Sequence, residues 1–329
     1  MDATAVAFAR FQRDFVDLDP DEVKTARASR DFLIEQVNTL RQNKPGFPPY
    51  TGATLAYGSF ARGTKIRPID DVDTLFFLNG RNTTENLRDD GRTAWLHINH
   101  PDAPLNPYRD DHGFVNSTKV LNATRDALSD VKHYRKADVK KNMEAVTLAL
   151  ASHNWVFDIV PAVPVDDGKG GTAHFLVPDG RGEWKRTDPR ADAQRLAATN
   201  MAHLNAFTPL CRLLKYWNAR TSKPQLPSYY FETLVHKIFL REPITTTATA
   251  VQTFFTAAPI VLGTRCPDPN GFGPDLDAEV DAETKRKVSA AMAEGAGYVQ
   301  TALIYPYLIG PEQIATWVWR KIFGPDFNI

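Results

Sequence analysis

The chain has 329 residues, 43% of them hydrophobic and 24% charged, which is the composition of a globular protein with a substantial core. Lys plus Arg and Asp plus Glu both number 39, so the formal net charge is zero. A dedicated nucleic-acid binder would carry a basic excess to contact phosphates, and this balance argues against that class.

Cysteine content and hydropathy exclude further classes. Cys211 and Cys266 are too few for a disulfide framework or a four-ligand zinc site, so we expect two reduced, packed thiols. No run of about 18 apolar residues would cross a membrane. The N-terminus also lacks the basic-then-apolar pattern of a signal peptide. These features predict a cytoplasmic protein.

The first 44 residues are predicted to be helical. The segment Asp19-Pro20-Asp21-Glu22 suits a helix start, because Pro fits the first helical position and acids suit the first turn. The Pro- and Gly-rich segment 45–49 then ends the helix.

Strands are expected to dominate the next part of the chain, and helices the last part. The patterns predict strands at 53–57, 72–78, 145–150 and 155–160, a helix at 117–128, loops at 79–108 and 166–190, and helices at 191–219, 227–241, 246–256 and 281–306. Strands early and helices late predict an α+β fold. We therefore expect a catalytic core with its N-terminal helix at 1–190 and a helical nucleotide-binding lobe at 191–329.

Two acids open an apolar strand. Asp71 and Asp73 are two residues apart, so on a strand both side chains point to the same face. Neighbouring carboxylates at the end of a buried strand repel each other, and burial increases the cost. A cation such as Mg²⁺, which prefers oxygen ligands, would relieve it. For Asp-x-Asp alone, a solvated strand end is the better explanation.

A third acid strengthens the case for a metal site. Asp158 lies in the apolar run 155–162, where an unpaired carboxylate is costly. If its strand lies beside that of Asp71, three carboxylates converge and can hold two metal ions. We therefore predict Asp71, Asp73 and Asp158 as catalytic and metal-binding residues, and Glu144 as a surface acid.

A Gly-Ser turn precedes the acids. Gly58 permits a tight turn and Ser59 is expected to cap the next helical turn, whose backbone N–H groups suit a triphosphate. An isolated Gly-Ser pair is usually an ordinary turn. Its place between two strands and near the acids favours phosphate binding.

Three residues of the helical half are candidate nucleotide contacts. Lys215, within an apolar segment, is either a phosphate ligand or a surface lysine whose stem packs on apolar residues. Ser228 stands where a helix N-cap is expected. Tyr229 either stacks on a nucleobase or packs in the core.

These blocks, in this order, resemble the bacterial cyclic-oligonucleotide synthases called CD-NTases. They are relatives of animal cyclic GMP–AMP synthase and oligoadenylate synthase in the polymerase-β-like nucleotidyltransferase superfamily. The resemblance spans roughly residues 50–329. It rests on Gly-Ser-x-x-x-Gly-Thr and Asp-x-Asp at 58–64 and 71–73, Phe-Asp-Ile at 157–159, Leu-Lys-x-Trp-Asn at 214–218 and Leu-Pro-Ser-Tyr at 226–229.

The resemblance implies a mixed sheet with a helical C-terminal lobe. It implies an enzyme that uses two Mg²⁺ ions, with Mn²⁺ as the alternative, to join NTPs into a cyclic di- or trinucleotide and pyrophosphate. It further implies a phosphate contact for Lys215, a nucleotide contact for Ser228 and base stacking for Tyr229. Antiphage signalling, with regulatory or effector proteins of the same operon as partners, follows from it as well.

The sequence also bears on three other functions: activation by nucleic acid, nucleotide transfer to RNA or tRNA, and NTP binding without catalysis. No Cys/His cluster resembles the zinc-bearing insertion of the animal enzyme, so a nucleic-acid activator is not expected. An RNA- or tRNA-directed transferase would use the basic stretch 132–141, which a solvated surface also explains. A catalytically inactive NTP-binding scaffold is the third interpretation, and the intact acid triplet speaks against it.

Overall fold

The computed structural model describes residues 3–220, 222–304 and 311–328. Its strands are β1 (Tyr50–Ala56), β2 (Asp71–Leu78), β3 (Thr83–Leu87), β4 (Thr93–Ile98), β5 (Asp138–Asn142), β6 (Ala145–Ala149), β7 (Val156–Asp166), β8 (Thr172–Pro178) and β9 (Trp184–Thr187). Its α-helices are α1 (Ala3–Phe11), α2 (Pro20–Asn43), α3 (Gly58–Ala61), α4 (Ser117–Ser129), α5 (Pro189–Ala202), α6 (Phe207–Ala219), α7 (Ser228–Phe239), α8 (Thr247–Leu262), α9 (Ala282–Ile304) and α10 (Pro311–Phe323).

Strand β7 is the centre of a mixed sheet. It pairs in parallel with β2 and antiparallel with β6 and β8. The sheet follows the order β1-β2-β7-β8-β9-β4-β3, with the β5–β6 hairpin attached to β7. Strands lie in the first part of the chain and helices in the second, so the predicted α+β class with a mixed sheet and a helical lobe is confirmed.

Strand β2 is covered on both faces. Val72, Phe76 and Leu78 belong to one buried cluster, whereas Leu75 lies in another with Phe77 packed against it. The strand also has a neighbour on each side, β1 and β7. A strand with these properties is an interior strand of the sheet.

The largest apolar cluster joins the helical half to the N-terminal helix. Residues from α6, α7, α8 and α9 form most of this cluster, and Phe8 and Phe11 of α1 are buried in it. The Phe8 ring packs edge-on against Trp319 with 4.8 Å between centroids. The division of the chain at residue 190 stays a prediction, and the packing associates α1 with the helical half.

Helix α2 begins as predicted. The Asp19 carboxylate accepts hydrogen bonds from the backbone N–H groups of Asp21 and Glu22 at 2.9 and 3.2 Å, with Pro20 in the first helical position. These bonds satisfy N–H groups that have no intrahelical partner. The N-terminal helical region is interrupted before this cap, after a π-helical turn at Gln12–Val16.

Two predicted loops are wrong, because each contains strands. The segment 79–108 holds the β3–β4 hairpin, and 166–190 holds β8 and β9. Strand β3 is largely exposed, so its sequence is polar and lacks the apolar alternation of a half-buried strand. In the second segment, the turn-forming glycines around β8 obscured the apolar run of that strand.

The predicted helix at 191–219 is two helices, α5 and α6. Leu204 and Asn205 between them have positive φ angles of 51° and 68°, which end the first helix. The last residues of the predicted helix 281–306 lie outside the described ranges. Cys211 and Cys266 are buried free thiols, as expected. Each helix within the described ranges is too short or too polar to cross a membrane.

Candidate active site

The three predicted carboxylates lie at one end of neighbouring strands. Asp73 of β2 is directly opposite Asp158 of β7 in the parallel pairing, and Asp71 precedes Asp73 on the same face. Adjacent strands are about 4.8 Å apart, which makes the two facing acids direct neighbours. On the other side of β7, Thr147 Oγ1 donates a hydrogen bond of 2.7 Å to Asp158 Oδ1.

Burial and neighbouring negative charges raise the pKa of two of these acids, Asp73 and Asp158. Burial, together with the charges of Asp71 and Asp158, raises the pKa of Asp73 to about 7. Burial also raises the pKa of Asp158, with contributions from Asp71 and Glu144. Glu144, expected to be a surface acid, is half-buried and adds negative charge to this site. The face thus concentrates negative charge that a cation would stabilise.

Lys65 supplies part of the compensation. Its side chain is 10% exposed, and its Nζ lies 2.7 Å from Asp71 Oδ1. The same ammonium also contacts the carboxylate of Asp70, which is mostly exposed. No local pattern singles out Lys65, since the contact depends on how the turn before β2 folds back.

The carboxylates fit a hard divalent cation by charge and donor type, because all three offer oxygen ligands and two have raised pKa values. Within the described ranges, however, no three Asp, Glu, His or Cys side chains are gathered closely enough to form a ready-made metal site. Asp71 is paired with Lys65, and Asp158 accepts a hydrogen bond from Thr147.

A cavity of about 770 Å³ lies between the acids and the helical half. Asp71, Asp73 and Ser59 line the sheet side, and Lys215, Ser228 and Tyr229 line the helical side. Gly58 and Asp158 adjoin this cavity through their contacts with Asp73. The structure therefore brings the predicted site residues of both halves to a single cleft. Ligand sites are commonly found between lobes in this way.

The Gly-Ser turn is a short helix, α3, and Ser59 does not cap it. The N-cap position is Tyr57, which makes no side-chain cap bond, so the expected capping role of Ser59 is wrong. Gly58 has a φ of +74°, which explains the requirement for glycine. The Ser59 carbonyl accepts backbone hydrogen bonds from Thr64 and Lys65, both at 3.0 Å, and these fix the following turn.

Lys215 is buried, which rules out the surface-lysine interpretation. Its Nζ lies 3.2 Å from Glu232 Oε2, and both side chains are almost fully enclosed. Glu232 also accepts hydrogen bonds from Arg62 Nε at 2.8 Å and Thr64 Oγ1 at 2.6 Å. Arg62 and Lys215 both line the cavity. Two cations from opposite walls of the cleft thus share one buried acid.

Ser228 and Tyr229 stand at the start of α7. Pro227 is the N-cap of this helix, so the expectation that Ser228 caps it is wrong, and Ser228 is exposed in the cleft. Tyr229 is half-buried, and its hydroxyl donates a 2.7 Å hydrogen bond to Asp192 Oδ1. The Arg62 guanidinium lies 5.9 Å from the centre of the Tyr229 ring. Tyr229 therefore belongs to the cavity wall.

Sequence reasoning missed Arg62 and Lys65, which line the cleft, and Glu232, which lies behind it. For Glu232 a signal existed, because it interrupts the apolar run 230–235 as Lys215 interrupts 213–217. A charge in such a run is costly unless it is paired. The two interruptions, considered together, would have predicted the ion pair.

An α+β core that presents paired acids to a cleft beneath a helical lobe defines a nucleotidyltransferase of the polymerase-β-like type. No family model matches the chain. A probable cyclic nucleotide synthase of Bacillus cereus (strain VD146) is 33% identical over 324 residues, which are 98% of this chain and 96% of that protein. The chain belongs to this family, the bacterial CD-NTases, and is an enzyme.

More distant relatives agree with this assignment. The cyclic AMP-AMP-AMP synthase of Escherichia coli (strain MS 115-1) is 22% identical over 228 residues, 67% of this chain and 60% of that enzyme. CdnC of E. coli MS115-1, solved in complex with HORMA-deltaN, superposes with a TM-score of 0.71 at 18% identity over 99% of this chain and 98% of that chain. The fold predicted from the resemblance is confirmed, and the relatives identify cyclic-oligonucleotide synthesis as the activity of the family.

Proposed function

We propose that this enzyme joins NTPs into a cyclic di- or trinucleotide second messenger and releases pyrophosphate. The supporting observation is the cleft itself, a cavity of about 770 Å³ that Asp71 and Asp73 line on one side and Lys215 and Tyr229 on the other. A nucleotide held there would have its phosphates between acids that bind metal and cations that bind phosphate. Its base would lie beside an aromatic ring.

The acids would hold the metal. Asp71 and Asp73 would bind both of two Mg²⁺ ions, and Asp158 would bind one of them. When bound, such ions lower the pKa of an attacking hydroxyl and stabilise the charge of a leaving pyrophosphate. Asp158 is the cross-strand neighbour of Asp73 and has a raised pKa, so it would accept the proton of the attacking ribose hydroxyl. Mn²⁺ is the natural alternative ion.

The remaining residues would hold the nucleotide. Backbone groups at Gly58 and Ser59, with Lys215 and Ser228, would bind the triphosphate, and Tyr229 would stack on the base. The arrangement is supported by the positions of these side chains around the same cleft. An enclosed cleft also suits a linear intermediate that must reorient before its second bond forms.

We further propose a role in antiphage signalling in the cytoplasm. The E. coli relative CdnC has been solved with HORMA-deltaN, and by analogy a regulatory protein of the same operon would control this enzyme. The zero net charge gives no support to activation by nucleic acid.

Mass analysis of the products tests this proposal. Purified protein is incubated with each combination of the four NTPs and Mg²⁺, and the masses of released small molecules are measured with pyrophosphate. We expect a cyclic di- or trinucleotide, and no product from Asp71→Asn combined with Asp73→Asn, although the fold of that double variant stays intact. Labelling of added RNA without a small product would support the RNA-directed alternative. NTP binding without pyrophosphate release, with either Mg²⁺ or Mn²⁺, would support the scaffold, and turnover in the double variant would contradict the site.

A further inference from the structure

Glu232 is a charged residue in the interior of the molecule. It lies on α7, its side chain is 2% exposed, and its neighbours along the helix are buried and mostly apolar. A carboxylate in such a place is stable only when it is paired and hydrogen-bonded. Its three partners come from two parts of the fold, since Arg62 and Thr64 follow α3 in the core and Lys215 lies on α6.

The charges of this cluster do not cancel. Two cations share one acid, which leaves one positive charge in excess. Although burial by itself raises the pKa of Glu232, the charges of Arg62 and Lys215, together with the hydrogen bonds from Thr64 and Arg62, hold that pKa below its usual range. The acid is therefore ionised, and the excess positive charge belongs to the two residues that line the cavity.

Glu232 does not line the cavity, whereas both of its cationic partners do. It lies behind them and holds each by a direct contact, at 2.8 Å for Arg62 Nε and 3.2 Å for Lys215 Nζ. Because Glu232 uses only one guanidinium nitrogen of Arg62, the other two remain available to a ligand. Long cationic side chains lose much rotamer freedom when they bind an anion, and fixing them beforehand reduces that loss.

We propose that Glu232 is a positioning residue that orients Arg62 and Lys215 towards the triphosphate of a nucleotide in the cleft. This inference rests on the proposed function, since it requires the cleft to bind an NTP. Glu232 does not touch the nucleotide and acts through its two cations. The same contacts link the core to the helical half. They therefore also set the width of the cleft at the place where the phosphates bind.

A double-mutant cycle tests the proposal by nucleotide binding. The affinity for the α,β-methylene analogues of the four NTPs, whose α,β bond cannot be cleaved, is measured with Mg²⁺ by calorimetry for wild type, Glu232→Gln, Lys215→Ala and the double variant. We expect each single variant to bind about tenfold more weakly, as for the loss of a charge-assisted contact. Relative to Lys215→Ala, the double variant should lose at most about a further threefold in affinity, because Glu232 acts partly through Lys215.

Two results would overturn the proposal. Tighter binding by Glu232→Gln would mean that the acid only repels the phosphates, and full additivity would mean that it stabilises the fold without positioning Lys215. If Glu232→Gln does not fold, Thr64→Val replaces it in the cycle, because it removes one hydrogen bond to Glu232 and keeps both cations. Additivity in that cycle would equally reject the proposal.

A matched control separates stability from positioning. Asp277 is a partly buried acid of the helical half that pairs with Lys285 at 2.8 Å, and neither residue lines the cleft. Asp277→Asn should lower the thermal midpoint without changing the affinity for the analogues. Since these analogues report binding alone, a wild-type protein that binds them but forms no cyclic product from the NTPs would refute the proposed function and leave the role of Glu232 testable.

Discussion

The α-carbon of Gly58 lies against the carboxylate of Asp73. A β-carbon at position 58 would overlap Asp73 Oδ2, and the φ of Gly58 is +74°, a region that other residues adopt at a cost. Glycine is therefore required at position 58 for two reasons: the backbone conformation disfavours other residues, and the carboxylate of Asp73 leaves no space for a β-carbon. The Gly-Ser turn and the Asp-x-Asp strand form one unit.

This contact predicts the effect of Gly58→Ala. The new methyl group must displace Asp73, and a displacement of about 1 Å at a reacting centre costs on the order of 100-fold in rate. We expect product formation to fall at least about 100-fold, measured with NTPs and Mg²⁺. Gly91→Ala is the control, because Gly91 also has a positive φ of 68° but nothing within 4 Å of an added β-carbon. Equal losses of activity in both variants would contradict steric displacement of Asp73.

The raised pKa of Asp73 predicts how stability depends on pH without metal. Its pKa is about 7 in the folded protein against an ordinary value of 3.8. The folded state thus binds this proton more tightly, so the group's stabilising contribution is complete below pH 3.8 and is lost as the pH rises through about 7. Asp73→Asn has no carboxyl at this position to titrate, so it does not lose stability in this way as the pH rises. The excess of its thermal midpoint over that of wild type should therefore be larger at pH 8 than at pH 5.

The measurement is thermal unfolding in EDTA across this pH range. Asp89→Asn, which removes an exposed acid from the turn between β3 and β4, should follow the wild-type curve. A constant difference between Asp73→Asn and wild type at every pH would show that the carboxyl of Asp73 does not titrate in this range.

Lys65 should act as a counter-ion for the acids when no metal is bound. Its contact with Asp71 compensates part of the negative charge at the end of β2. We expect Lys65→Met to unfold about 1–2 °C below wild type in EDTA, which corresponds to roughly 1 kcal/mol for a chain of this size. Saturating Mg²⁺ should then raise its midpoint by more than it raises that of wild type. An equal Mg²⁺ effect on both proteins would refute this role.

The sequence predicted those parts of the site that local patterns determine. Asp71 and Asp73 follow from the period of two on a strand, and Asp158 from the cost of an acid in an apolar run. The alignment of Asp73 with Asp158 depends on parallel pairing between distant segments, and no local pattern specifies that register. The family resemblance supplied what periodicity could not.

The sequence did not predict the contacts of Glu232 or the β3–β4 hairpin, because both depend on pairing that tertiary structure determines. The contacts of Glu232 with Arg62 and Thr64 join positions that are far apart in the chain, so neither end predicts the other. The β3–β4 hairpin was missed because its first strand, β3, is largely exposed and needs no apolar alternation. Pairing between distant charges and pairing between polar strands are both set by tertiary structure.

Tyr229 distinguishes base stacking from core packing. Its half-buried ring lines the cleft, whereas the ring of its neighbour Tyr230 is buried in the helical core. Stacking of a base on an aromatic side chain contributes about 1–3 kcal/mol, so Tyr229→Ala should raise KM for NTP about tenfold or more with a small change in thermal midpoint. Tyr229→Phe loses the hydrogen bonds of the hydroxyl, among them the bond to Asp192, and should change KM less than about threefold, since it keeps the ring. Tyr230→Ala, as the matched control, should lose about 3–5 kcal/mol of stability, as truncation of a buried aromatic residue does. If Tyr229→Ala instead unfolds as readily as Tyr230→Ala, Tyr229 is a core residue and the base must be held elsewhere in the cleft.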